Sequence, residues 1–355
     1  MIGILFHGPT IFDNGWAAKL LQVFPEHRAV LAGTMARTAL LDAGLSSVES
    51  PGCKASVGIS ELAKTCNTVI FCAHSSTEAS GTALGSMVST QIDADIALLQ
   101  VETNGMRWTS HKGTAPFHVV SMLEELGFQQ ASPAIAHHHI WQENGTTYRR
   151  INAVAPGDNI LINGIFIGVA QSDHVVISLH NGEIRHVSNT AIKEHGLEKL
   201  LRFGPIDLGA AKVVATPTLR ATPAPRVVRA NTGKGVAFID HAAKNVFELA
   251  AGCAGAVTVG DDTTAICGDI LHRFSVPVLG IVDGDGDKLY SAKTFAPGST
   301  ELVVHADDAA GLHIKDRIFQ GADYLAWDFP EVKEAIIKLL GSQIRSRTDY
   351  DNPLS

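Results

Sequence analysis

Two short segments hold the residue types best suited to chemistry. Gly260-Asp261-Asp262-Thr263-Thr264 carries two adjacent carboxylates followed by two hydroxyls, and Asp283-Gly284-Asp285-Gly286-Asp287 alternates carboxylates with glycine. Carboxylates gathered at one place repel one another. A hard cation such as Mg²⁺ relieves this, because it prefers oxygen ligands. Gly284 and Gly286 let the backbone turn tightly around an ion or a phosphate. Thr263 and Thr264 open the helix that follows, and the N–H groups and positive dipole end of a helix start favour an anion. The pattern predicts a metal held by Asp261, Asp262, Asp283 and Asp285 and a phosphate held at Thr263 and Thr264, the parts of a nucleotide or phosphoester site. The same residues have a plainer explanation, since Asp and Thr are common helix N-caps and Asp-Gly repeats are common turn chemistry. A calcium loop of the EF-hand kind is excluded: its twelfth position needs glutamate, and counting from Asp283 that position is Thr294.

Whether the two segments meet depends on the elements that carry them. Ala256–Val259 and Val276–Val282 are short apolar runs that read as strands, and each ends just before one of the acidic segments. Ligands of an open parallel sheet bind outside the carboxyl ends of its strands, so neighbouring strands here would bring the carboxylates to one edge. Gly235–Ile239 and Glu301–His305 read as further strands, with helices over Ala243–Ala251, Thr263–Phe274 and Glu331–Leu340.

The first part of the chain has the same rhythm. Ile2–Phe6, Arg28–Ala32, Thr68–Cys72 and Asp95–Val101 are continuous apolar runs, separated by helical patterns at Trp16–Val23 and Met35–Ala43 and followed by one at Val119–Leu126. Such runs are the pattern of a parallel sheet covered on both faces. The stretch from Asn152 to Ser188 differs. Its Asn163-Gly164 and Asn181-Gly182 pairs between apolar runs are strong hairpin signals, and a helix over Ile192–Leu201 follows. Pro205, Pro217, Pro223 and Pro225 then mark an extended connector. The expected class is α/β, with an N-terminal Rossmann-like parallel sheet (1–145), a small middle β module (146–203), a connector (204–233) and a C-terminal α/β unit with the acidic loops (234–355).

Three loops at the ends of N-terminal strands offer a second candidate ligand site: His7-Gly8-Pro9-Thr10, Gly33-Thr34 and His74-Ser75-Ser76. His7, Gly8, Thr34 and Ser75 are the residues placed to approach a ligand there. Neither a GxGxxG nor a GxxxxGK[ST] fingerprint is present, which weighs against an oxidoreductase using that crevice. His137-His138-His139 looks like a metal tract, but successive residues of a strand point to opposite faces. His241 is a candidate general base only by its place at a strand end, and a hydrogen-bonded structural histidine is the better explanation.

The bulk numbers limit partners. The chain has 355 residues, 45% hydrophobic and 18% charged, with a net charge of −8 and no block of Lys or Arg. A nucleic-acid partner would ordinarily show a basic cluster, so none is expected. Five cysteines without a CxxC pair argue against a disulfide framework or a cysteine zinc site. No signal-peptide pattern opens the chain. No apolar run reaches the roughly 18–20 residues of a membrane span; the longest, Ile160 to Ala170, is broken by Asn163 and Gly164. The expected setting is the cytoplasm, with a small-molecule ligand, no membrane and room for a homo-oligomer.

His7-Gly8-Pro9, Ala32-Gly33-Thr34-Met35, Pro156-Gly157-Asp158 through Asn163-Gly164, and the two acidic segments together resemble an uncharacterised archaeal family, found mainly in methanogens and catalogued as a domain of unknown function. The likeness spans most of the chain and implies an archaeal cytoplasmic setting, with no activity to carry over. Paired acidic residues after parallel strands also occur in Toprim-type nucleotidyl-transfer domains, but their Glu-Gly start is here Gly260-Asp261. The leading expectation is a Mg²⁺-dependent enzyme or binder of a nucleotide or phosphorylated metabolite. The alternative is a non-catalytic assembly or regulatory protein in which the β module and connector bind a partner.

Overall fold

The structure, a computed structural model, describes residues 1–133, 139–202, 204–216, 220, 225–240, 243–284 and 294–351, except the side chains of residues 34, 202 and 244. His137, His138, His241, Asp285 and Asp287 lie outside the described residues. The chain divides into two compact units, Met1–Thr218 and Leu219–Ser355.

In the first unit the apolar runs form β1 (Ile2–His7), β2 (His27–Ala32), β3 (Val48–Cys53), β4 (Thr68–Ala73) and β5 (Ala97–Glu102), followed by β6 (Arg107–Lys112) and β7 (Gln129–Gln130). Between them run α1 (Thr10–Asp13), α2 (Trp16–Val23), α3 (Thr34–Ala43), α4 (Ala55–Ala63), α5 (Glu78–Ser89) and α6 (Phe117–Glu125). Among the described residues the strands make one sheet of order β3-β2-β1-β4-β5-β6-β7, parallel from β3 to β5, with β6 reversed against β5. Alternate residues serve opposite faces. Phe6, Leu31, Cys72 and Val101 pack under α2, α3 and α6, while Leu5, Val30, Phe71 and Leu98 pack under α4 and α5. Two covered faces explain why these strands read as unbroken apolar runs. In α2 the buried positions Ala17, Leu20 and Leu21, with Phe24 just beyond, keep the i, i+3, i+4 spacing of one helix face. The sheet's direction of growth reverses between β1 and β4, the kind of switch point where a crevice opens.

The rest of the first unit is antiparallel. Its strands are β8 (Ile140–Glu143), β9 (Thr146–Ile151), β10 (Asn159–Ile162), β11 (Ile165–Ala170), β12 (Val175–His180), β13 (Glu183–Val187), β14 (Thr190–Ile192) and β15 (Val213–Thr216), with α7 (Glu194–Arg202) before the last. They form sheets of order β13-β12-β9-β8 and β14-β11-β10-β15. Ile160, Ile162, Ile167, Val175 and Ile177 share one core. Asn163-Gly164, Asn181-Gly182 and Asn144-Gly145 all turn with positive φ at both residues, the conformation that joins tight hairpins. The strands reach from Ile140 to Thr216, wider than the turn signals at 146–203 suggest. The extension has a physical cause: Ile206, Leu208 and Ala211 are buried in that core and β15 completes a sheet by pairing with β10.

The second unit holds β16 (Val236–Asp240), α8 (Val246–Ala250), β17 (Gly255–Val259), α9 (Asp261–His272), β18 (Val278–Val282), β19 (Ser299–Val303), α10 (Asp307–Arg317), β20 (Tyr324–Leu325), α11 (Phe329–Leu340) and β21 (Ser346–Tyr350). The sheet order is β20-β16-β17-β18-β19-β21, with the four central strands parallel and both edges antiparallel. Phe238, Val257, Val259, Leu279, Ile281 and Leu302 face α10 and α11. α9 covers the other face, where Gly280 leaves room for Thr264: a Cβ there would lie 2.3 Å from the threonine methyl. Parallel neighbours in sequence order put the carboxyl ends of β16 to β19 along one edge. Among the described residues, no helix is long and apolar enough to cross a membrane.

Candidate functional site

That edge gathers the acidic residues. Gly260 has φ 100° and ψ 141°, a backbone state that side chains with a Cβ rarely adopt. It lets α9 start one residue after β17 ends, so Asp261 becomes the first helical residue. Asp261 Oδ2 then accepts the backbone N–H groups of Asp283 and Gly284, each at 3.2 Å. Gly284 turns away with φ 89°. From the next strand, Asp307 opens α10; it is only 8% exposed and its Oδ1 accepts the N–H of Asp308 at 2.7 Å.

Asp261, Asp283 and Asp307 each present a carboxylate oxygen, and the three oxygens lie within 4.8 Å of one another. Oxygens on opposite sides of a Ca²⁺ stand about 4.6–5.2 Å apart, and about 4.0–4.2 Å for Mg²⁺. The group therefore has the scale of a divalent-cation shell. Without a cation, two unit charges at such a distance repel by about 1 kcal/mol in bulk water and about 3.5 kcal/mol at an effective dielectric of 20. The first turns of α9 and α10 offset part of this through their dipoles and N–H groups.

The other expected residues fall as follows. Asp262 is the second residue of α9 and stands outside the group of three. Thr263 and Thr264 are both buried. Thr264 Oγ1 bonds Thr258 Oγ1 at 2.8 Å within the core, so its hydroxyl faces the sheet and not the loops. The Thr264 hydroxyl is therefore not what this helix start offers an anion. Asp307 was not among the residues expected from sequence. The signal for it was the Asp307-Asp308 doublet, which repeats Asp261-Asp262 after the next-but-one strand.

His7, Gly8, Thr34 and Ser75 belong to the first unit. Gly8 (φ 81°) has open space where a Cβ would stand. Thr34 is the first residue of α3, behind Gly33 at φ 104°. His7 sets its ring edge-on to Phe71, 6.0 Å between centroids, and burial pushes its pKa below the usual histidine value. Ser75 is held by the buried Glu102, which accepts its N–H at 2.8 Å on Oε1 and its hydroxyl at 2.7 Å on Oε2. Asn104 donates its N–H to Glu102 Oε1 at 3.2 Å and its side-chain amide to Ser75 O at 2.8 Å.

A family model described as an uncharacterised protein conserved in archaea matches residues 4–322. An uncharacterised protein of Methanocaldococcus jannaschii is 31% identical over 328 residues, which cover 87% of this chain and 89% of that protein. Among solved structures, the GsuK RCK domain aligns over 90% of this chain and 77% of its own at 11% identity, with a TM-score of 0.17, a likeness too slight to bear on the fold.

Proposed function

The chain belongs to that archaeal family, and from the geometry of its carboxyl edge we propose that it binds a divalent cation and, through it, a nucleotide or phosphorylated metabolite. One observation carries the reading: three strands in a row deliver Asp261, Asp283 and Asp307 to one point. Mg²⁺ suits the phosphate part of the reading, because the ion is usually held by one or two carboxylates and completes its shell with water or phosphate oxygens. Asp261, Asp283 and Asp307 would hold the ion. Asp262 would stand beside it, and Asp285 would extend the set from the same loop. The ion would lower the negative charge that otherwise repels a phosphate. Main-chain N–H groups of the first turns of α9 and α10 would meet the phosphate oxygens, a part that the Thr264 hydroxyl is not placed to play.

A second reading, a regulatory or assembly protein with no bound ion, is favoured by the N–H bonds that Asp261 and Asp307 already accept, which give both carboxylates a structural part without a cation. Thermal-shift measurements with nucleotides, each with and without Mg²⁺, separate the two. A ligand of the native state raises its stability by mass action. Joint stabilisation by Mg²⁺ and nucleotide is the result expected for the cation site. No stabilisation by Mg²⁺, Mn²⁺ or Ca²⁺ would favour the second reading.

A further inference from the structure

The carboxyl ends of β1, β4 and β5 form a second polar centre, which the cation reading does not use. Its pivot is His74. Asn14 Oδ1 accepts the backbone N–H of Trp16 at 3.2 Å, so the amide nitrogen of Asn14 is the atom that faces His74, 3.0 Å from Nδ1. An amide N–H only donates, which makes Nδ1 the bare, accepting nitrogen of the ring. Thr103 Oγ1 lies 2.9 Å from the same Nδ1 and 3.3 Å from Ala73 O, so its single proton has an acceptor in either direction. The proton of the neutral ring therefore sits on Nε2, which has no hydrogen bond to the described residues.

The surroundings are stiff and open. Glu102 and Asn104 lock the loop after β4 to the loop after β5. Gly8, at the end of the neighbouring β1, leaves its backbone unshielded. This is the switch point of the sheet, where open α/β folds bind ligands. We propose that it is a second ligand site, in which His74 Nε2–H donates to a neutral oxygen acceptor, a carbonyl or hydroxyl of a small molecule. Charge decides against an anion. Residues 7–10, 74–77 and 102–104 contain no Lys or Arg, and the carboxylate of Glu102 sits directly behind Ser75. Pro9 also removes an N–H that a phosphate would need.

The test uses the full chain with ¹⁵N-labelled histidine. Long-range ¹H–¹⁵N correlation spectra, with His74→Gln for assignment, report the tautomer. The Nε2–H form is expected in the wild type and a proton on Nδ1 in Asn14→Asp, whose carboxylate accepts where the amide donates. The neutral lactam 2-pyrrolidinone is then titrated against butyrate, an acid of similar size. A saturable shift of the His74 Nε2 resonance by the lactam is expected, with butyrate weaker by about tenfold. A proton on Nδ1 in the wild type, a lactam titration without saturation, or equal binding of butyrate each overturns the proposal. None of these outcomes depends on the cation site.

Discussion

Asp261 accepts the backbone N–H groups of Asp283 and Gly284, so one side chain ties the loop leaving β17 to the loop leaving β18. The tie fixes where the carboxylate of Asp283 stands, within 4.8 Å of those of Asp261 and Asp307. Placement and repulsion thus come from the same residues, and the consequences for stability have a definite sign.

In metal-free, low-salt buffer, Asp283→Asn is expected to be more stable than the wild type. Removing about 1 kcal/mol of repulsion raises an unfolding midpoint by about 2–4 °C in a protein of this class. Saturating Mg²⁺ should reverse the order, because only the wild type keeps all three ligands. Scanning calorimetry in both buffers checks this. A variant less stable than the wild type without cation would mean that the carboxylates are not a repulsive group.

Thr264→Val should act on the fold and not on the ion. It leaves the Thr258 hydroxyl buried without its partner, at a cost of about 1–3 kcal/mol. Cation affinity, read by calorimetric titration, should stay within about twofold of the wild type. Full stability with lost binding would place the threonine at the ligand after all.

Gly85→Ala should destabilise the first unit. Its Cβ would lie 1.7 Å from Gln100 Oε1 and 2.7 Å from His111 Nε2. That is the junction of a chain in which the half-buried His111 bonds Oε1 of the buried Gln100 at 2.9 Å and Gln100 Nε2 donates to Gly81 O at 2.8 Å. Overpacking of this kind costs about 1–3 kcal/mol, and urea unfolding followed by Trp108 fluorescence would report it.

Acid should weaken the first unit through His7. Burial lowers its folded pKa below the ordinary 6.5, so the unfolded chain takes up the proton first. The stability linked to His7 is flat above that value and is lost as pH falls through 6.5 toward the folded pKa. Chemical unfolding at about pH 7.5 and about pH 5.5 should show a larger drop for the wild type than for His7→Phe. Equal drops would assign the acid sensitivity elsewhere.

The parallel strands of both units were legible because burial on two faces leaves continuous apolar runs: Thr68–Cys72 against the observed Thr68–Ala73, Ala256–Val259 against Gly255–Val259. β3 was not, since Val-Glu-Ser-Pro-Gly-Cys lies at a sheet edge with one neighbour and needs no apolar run. α5 was hidden by its Gly, Ser and Thr content. Its small residues serve close approach to Gln100 and Glu102, so it lacks an apolar stripe. Asp307 was missed because α10 shows little amphipathic pattern, with Leu312 turned to solvent. Asp261 and Asp283 were legible as a pair because their segments follow neighbouring apolar runs, whereas the Asp307-Asp308 doublet joins them only through the pairing of β18 with β19.

The most direct measurement is calorimetric titration of Mg²⁺, and separately Ca²⁺, into the full chain and into Asp307→Asn. Saturable binding of one ion per chain is expected, weakened by at least about tenfold in the variant. Heats no different from dilution up to millimolar cation, or a variant that binds as tightly as the wild type, would contradict a cation site built from Asp261, Asp283 and Asp307.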